Sequence, residues 1–286
     1  MRVLVTGAGG QLAQQLMATS PSNIALKAVG RSECDITDES VVQRTFNGFN
    51  PDVVINTAAF TAVDAAEDAP DQSFLVNARG AEIVARSAQR AGARVIHIST
   101  DYVFDGKRSS PYPPDAPTNP LSVYGASKLE GEKLVLAASP SALVVRVGWV
   151  YSKTGKNFLS RIVSGSAASQ RLRVVSDQLG CPTSAREFAE AIWKATRGTL
   201  SGVYHWANLG STTWYDFALE TERIARELAI EGRAVPEIEP VTSETFPSRA
   251  KRPRYSVLDP SWLAERLAIS PARWQDALRA ELMRAG

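Results

Sequence analysis

The 286 residues carry 32 basic and 30 acidic side chains, a formal charge of +2, and 44% of them are hydrophobic. No block of about five like charges and no apolar run near 18 residues is present, so neither a nucleic-acid nor a membrane partner is expected. Two cysteines (Cys34, Cys181) and two histidines (His97, His205) exclude a disulfide framework and a histidine-rich metal site, and with no charged leader before the first strand they fit a cytoplasmic setting.

Val3–Thr6 reads as a buried strand, followed by a glycine turn and a helix over Gln11–Met17. Ala25–Val29 is a second strand. Asp38–Phe46 is a helix with Thr37 or Asp38 as N-cap. Val53–Asn56 is the third strand, and one long helix is expected over Gln72–Ala91, stopped by Gly92. Val95–Ser99 is the fourth strand. Pro111–Pro120 holds five prolines and reads as a loop at the C-terminal edge of the sheet. A helix bearing Tyr124 follows, then a fifth strand, Leu143–Val147. β-Branched runs alternating with helices predict an α/β fold, a Rossmann-like doubly wound parallel sheet with ligands at the strands' C-terminal ends. Beyond Val150 the alternation weakens. Helices near Asn157–Val163, Ser184–Thr196, Trp214–Ala229 and Pro271–Arg284, with a strand at Val203–Trp206, read as a smaller mixed lobe. The expected division is 1–150 with 172–205 returning to it, against 151–171 and 206–286.

Two segments carry chemistry. Gly7-Ala8-Gly9-Gly10-Gln11-Leu12-Ala13 joins a strand to a helix, the context of a dinucleotide cradle. Ala13 at the third small position lets helix and strand approach, and the helix N-terminus offers free N–H groups to a pyrophosphate. The second strand ends without an acid. Arg31 suits a 2′-phosphate there, or is a plain surface arginine. Asp35 suits either the adenine amino group or a place as a helix-flanking carboxylate. The second segment is SVYGASKLEGE. Tyr124 and Lys128 are one helical turn apart, and an ammonium so placed lowers the pKa of a phenol that exchanges a proton. Thr100, at the end of strand four, can polarise a carbonyl oxygen. Its rival, Ser99, points the other way by strand alternation.

At these residues the chain resembles the extended short-chain dehydrogenase/reductases, and more closely the dTDP-4-dehydrorhamnose reductase family. The matching segments include GAGGQLAQQL, NTAAFTAVDAAE, HISTDYVFDG, NPLSVYGASKLEGE, RVGWVY, DQLGCPT and RPRYSVLD, and they span about residues 1–260. The resemblance implies Thr100, Tyr124 and Lys128 as the catalytic set. It implies cofactor contacts at Gly10, Gln11, Leu12, Asp35, Ile36, Ala59, Phe60 and Thr61, beside Gly7, Arg31 and the Tyr124–Lys128 pair. It implies substrate contacts at Thr100, Asp101 and Trp149; a core tryptophan is the alternative for Trp149. Asn77 resembles a bracing residue, or is an ordinary capping amide. The implied activity is NADPH-dependent reduction (NADH being possible) of a dTDP-4-keto-6-deoxy-sugar at C4, bound by the smaller lobe in a monomer or homodimer. Other sugar-nucleotide ketoreductases, dehydratases, and a regulatory subunit resembling methionine adenosyltransferase β are the alternatives. Some relatives dimerise through a metal bridged by glutamates. The matching positions here are Gln15 and Arg186, so no such metal is expected.

Overall fold

β1 (Arg2–Thr6), β3 (Val53–Asn56) and β5 (Leu143–Val147) are mostly apolar and, but for Arg2, buried along their whole length, as strands covered on both sides are. A computed structural model of the protein describes residues 1–155, 157–163, 171–228 and 237–284. Its main sheet is parallel, with β2 (Ala25–Val29), β1, β3, β4 (Arg94–Thr100), β5 and the strand Gly202–Trp206 side by side in that order. The chain leaves β1 toward β2 on one side and resumes at β3 on the other. That reversal opens a crevice at the C-terminal ends of β1 and β3, where doubly wound folds bind ligands.

Helix α1 (Gln11–Ala18) and the helix Ala185–Ala195 cover one face, with Leu12, Leu16, Phe188 and Ile192 in a core with Val3, Val5 and Val145. Helix α2 (Glu39–Phe49) packs against the other face, capped by Asp38, whose carboxylate accepts from the Ser40 and Val41 N–H groups. The short helix α3 (Val63–Asp68) follows β3.

The expected single helix over Gln72–Ala91 is three pieces: α4 (Pro70–Phe74), a π-helical turn (Leu75–Gly80) and α5 (Ala81–Arg90). No proline interrupts the run, so the pattern hides the break. The wide turn places the Asn77 side chain on the backbone of Phe60, and its carbonyl against α6 (Val123–Ala138). A Cβ at Gly131 of α6 would lie 2.1 Å from the Asn77 oxygen, so only glycine permits that approach.

The division of the chain differs from expectation at two places. Residues 172–175, expected with the sheet half, form a strand paired with Ile238–Val241, because Leu172 and Val174 are buried against Ile162 and Ala218. The helix Ser261–Leu267, expected in the lobe, instead buries Leu263 and Ala264 in the core of the main sheet. The helix Trp214–Glu227 ends within the expected span, of which Ala229 lies outside the described residues. The lobe's own core is aromatic: Tyr151, Phe158, Trp214, Phe217 and Trp274. Among the described residues no helix is long and apolar enough to cross a membrane.

Candidate active site

The turn after β1 needs its glycine. Gly7 has φ +78°, and a Cβ there would meet the Ala58 nitrogen at 2.7 Å. The Gly10 N–H closes the turn on the Gly7 carbonyl at 2.9 Å. Gly10 also begins α1, with no side chain capping the helix, so the first N–H groups of Gln11, Leu12 and Ala13 stay available to an anion. A cavity of about 340 Å³ opens over this turn, lined among others by Gly10, Arg31, Asp35, Ile36, Ala59 and Thr61. Its floor is fixed by two contacts. Ile36 lies against Gly80, where a Cβ would come within 2.9 Å of its side chain. The Asn77 amide grips Phe60 at both backbone groups, accepting from its N–H at 2.7 Å and donating to its carbonyl at 3.0 Å. Asn77 therefore braces the Ala59–Thr61 segment and does not cap a helix.

Asp35 fills the flanking role: Oδ1 accepts from the Thr37 N–H and hydroxyl at 3.0 and 2.7 Å, which holds its carboxyl below the usual range. Oδ2 takes Arg31 Nε at 3.2 Å. The Arg31 side chain is 77% exposed, and an exposed pair of this kind is worth only about 0–1 kcal/mol, so it yields readily to a stronger anion.

A second cavity, of about 320 Å³, shares Gly10, Thr57, Ala59 and Thr61 with the first and holds Thr100, Asp101, Tyr124, Lys128 and Trp149. Ser122 starts α6 by capping the Gly125 N–H at 3.1 Å, which puts Tyr124 in the first turn, facing the end of β4. Thr100 accepts the Tyr102 N–H at 3.2 Å and donates to Asp101 Oδ1 at 3.1 Å. Ser99 turns the opposite way, its hydroxyl donating to the buried Glu132. Asp101 is buried, and that burial pushes its carboxyl up to about 6.

The electrostatics depart from expectation. Lys128 is buried and donates to the Ile98 carbonyl at 2.7 Å. Burial pushes its ammonium down to about 8. The Tyr124 phenol is raised to about 12 by burial, offset only in part by the Thr100 hydroxyl. Desolvation outweighs the phenolate stabilisation expected from Lys128, whose ammonium is held by a backbone carbonyl. For a group that must give a proton, the raised value keeps the competent, neutral form in place.

Trp149 lines the same cavity, with φ +52°, a left-handed conformation that costs a non-glycine residue energy. Its indole stacks on Trp214 at 3.6 Å and 8°, and lies against Gly180, where a Cβ would be 2.3 Å from the ring. One face of the ring is thus covered from the lobe, and the contact expected with an apolar sugar face is left to its remaining surface.

Beyond the Trp149–Trp214 stack lies a third cavity, of about 510 Å³. It is lined among others by Arg161, Arg171, Arg173, Gln178, Trp214 and Arg252. Sequence reasoning missed it, because its four arginines come from three distant segments, and only Arg252 of them belongs to a short basic run, Arg249, Lys251, Arg252 and Arg254. Asp64 of α3 locks that run in place. It accepts from Arg252 Nη2 at 2.7 Å and from the Arg249 and Ala250 N–H groups at 3.1 Å each. The Arg252 contact holds its carboxyl well below the ordinary range. Arg186, at one of the two positions considered for a bridging metal, pairs with Glu190 at 3.2 Å.

The family model described as the RmlD substrate binding domain matches residues 1–285. The spore coat polysaccharide biosynthesis protein SpsK of Bacillus subtilis is 39% identical over 282 residues, covering 98% of this chain and 96% of that protein. A dTDP-4-dehydrorhamnose reductase of Sinorhizobium fredii is 37% identical over 286 residues, covering 98% and 96%. The crystal structure of dTDP-4-dehydrorhamnose reductase from Bacillus anthracis in complex with NADP superposes with a TM-score of 0.92 at 33% identity, covering 99% of each chain. The chain belongs to the dTDP-4-dehydrorhamnose reductase family, within the Rossmann-like extended short-chain dehydrogenase/reductases.

Proposed function

We propose that this protein reduces the C4 carbonyl of a dTDP-4-keto-6-deoxy-sugar with NADPH, converting dTDP-4-dehydro-L-rhamnose to dTDP-L-rhamnose. The observation that carries this reading is the place of Thr100, Tyr124 and Lys128: one cavity, flanked by a glycine cradle and by an arginine-lined cavity in the lobe. The cradle fits a dinucleotide, since Gly7 leaves no room for a side chain and the start of α1 has uncapped N–H groups. NADPH bound there supplies the hydride. The arginines fit the diphosphate of a sugar nucleotide, and guanidinium suits it by its paired donors.

The protein's part of the chemistry follows from the geometry. Thr100 orients the carbonyl oxygen, exchanging its hydrogen bond to Asp101 for one to the substrate. Tyr124, held neutral by burial, donates the proton that the oxygen needs as it becomes a hydroxyl. Lys128, fixed on the Ile98 carbonyl, keeps a positive charge beside the reaction centre, and its remaining N–H groups serve the cofactor ribose. A dehydratase of the related type follows its threonine with an acidic pair; here Tyr102 comes after Asp101, and burial raises that phenol above its usual range. A base is therefore missing at the expected place.

The test is NADPH oxidation in the presence of dTDP-4-keto-6-deoxy-L-mannose, with NMR of the product sugar. A protein that binds NADPH but turns over no ketosugar would be a regulatory subunit, and the proposal would fail. Cofactor choice has its own test. Arg31→Ala is expected to weaken NADPH by about tenfold or more, the worth of a charged hydrogen bond, and to leave NADH almost untouched. Equal changes in the two dissociation constants would mark Arg31 as a surface residue.

A further inference from the structure

One turn beyond Lys128 on α6, Glu132 is buried and meets the equally buried Arg146 of β5. The contact is two-pronged: Arg146 Nε donates to Oε1 at 2.9 Å and Nη2 to Oε2 at 2.7 Å. Ser99 Oγ donates to the same Oε1. On its other side Arg146 donates through Nη1 to the Pro114 carbonyl at 3.2 Å, and its guanidinium lies over the Phe104 ring. His205, from the strand Gly202–Trp206, stands 3.5 Å from the same Nη1, and its other ring nitrogen is 3.0 Å from the Tyr112 carbonyl. One charge pair thus joins α6, β4, β5, the edge strand and the proline loop.

A pair this buried is a poor device for stability alone. The desolvation of two charges offsets most of their attraction, and apolar residues of similar volume often serve as well. What it adds is directional: a planar guanidinium and a carboxylate lock their elements in one relative position. Ser99 adjoins Thr100, so tying Ser99 to α6 fixes the end of β4 against the helix that carries Tyr124 and Lys128. We propose that Glu132, Arg146 and Ser99 are positioning residues that hold Thr100 in place relative to Tyr124. The Pro114 carbonyl sets the proline loop on the same anchor. The inference rests on the ketoreductase reading for its kinetic readout, and a structural readout stands beside it.

Two variants test it. Ser99→Ala removes one hydroxyl and leaves the charge pair intact. The double variant Glu132→Leu/Arg146→Met removes both charges together, so neither is left buried alone. For each, melting temperature, NADPH affinity and ketosugar kcat and KM are measured, and a crystal structure of the double variant is determined. The expected result is near-normal NADPH affinity and KM. kcat falls about tenfold in Ser99→Ala, the worth of one hydrogen bond to a charged group. It falls about 10²-fold in the double variant, the usual effect of a displacement near 1 Å. Thr100 is displaced against Tyr124 in the double variant's structure. Wild-type kcat in either folded variant, or an unmoved Thr100, overturns the proposal. If the double variant does not fold, Ser99→Ala decides alone. If the wild-type protein shows no turnover, the ketoreductase reading is what fails, and the displacement of Thr100 decides the positioning role.

Discussion

Tyr124→Phe is expected to lower turnover by roughly 10²–10⁴-fold, the range for loss of a general acid, while NADPH affinity and melting temperature stay near wild type. In the proposed mechanism the phenol, which shares its cavity with Thr100, is the proton donor, and the change deletes one oxygen from a half-buried ring whose edge contact with Tyr102, at 5.6 Å between centroids, survives. The pH dependence separates the two titratable partners. Tyr124 must be protonated to act, and burial raises it to about 12, so it stays competent throughout the neutral range. Lys128 is depressed to about 8 by burial and loses its charge first as pH rises. Wild-type turnover should therefore decline above about pH 8, on the lysine's ionisation, and the residual rate of the Phe variant should keep that decline. A Phe variant with wild-type turnover would end Tyr124's assignment as donor. A decline that vanishes with the phenol would show that Tyr124 itself titrates there. The same shift has a sign for folding. Between about pH 8 and the ordinary lysine value the unfolded chain holds a proton that the folded chain does not, so Lys128 makes stability rise with pH across that window.

Much of this site is legible in the sequence because its parts are local. Gly7, Gly10, Tyr124 and Lys128 sit in short segments whose spacing states a backbone requirement, and the five strands of the sheet half announce themselves by apolar runs. The structure places the expected cofactor residues around two adjoining cavities, the second of which also holds Thr100, Tyr124 and Lys128. What stays hidden is non-local. The π-helical turn at Leu75–Gly80 contains no proline to mark it, and the Asn77 it carries is bonded to Phe60, seventeen residues away. The arginines of the lobe cavity come from three separate segments, so no single motif marks them. The raised pKa of Tyr124 is hidden for a related reason. Spacing along a helix fixes which residues are neighbours, but burial depends on the rest of the fold, and the carbonyl that captures Lys128 comes from β4. The stacking of Trp149 on Trp214 likewise joins residues 65 positions apart and decides how much of the indole is open to a ligand.

Gly125→Ala is expected to cost about 10²-fold in kcat, although alanine is the better helix former. A Cβ at Gly125 would lie 2.2 Å from the Tyr102 carbonyl oxygen and 3.1 Å from Pro120. The first neighbour is backbone, immediately after the Thr100-Asp101 pair, so it cannot swing aside. α6 must then move away from the end of β4, carrying Tyr124 with it, and a displacement near 1 Å is enough for a loss of that size. In stability two effects compete. Glycine to alanine within a helix gains about 1 kcal/mol, while overpacking a tight contact costs about 1–3 kcal/mol. The clash wins, but by little, so the melting temperature should fall modestly while the rate falls steeply. Gly48→Ala is the control. It lies within α2, and a methyl group there would meet nothing inside 4 Å, so only the helix gain applies. That variant should be as stable as wild type or more so, with normal turnover. Thermal melts and ketosugar kinetics on the two variants decide the matter. A Gly125→Ala enzyme with wild-type kcat would show that α6 tolerates displacement and that the close approach of Tyr102 to the helix does not set the geometry of the reaction centre.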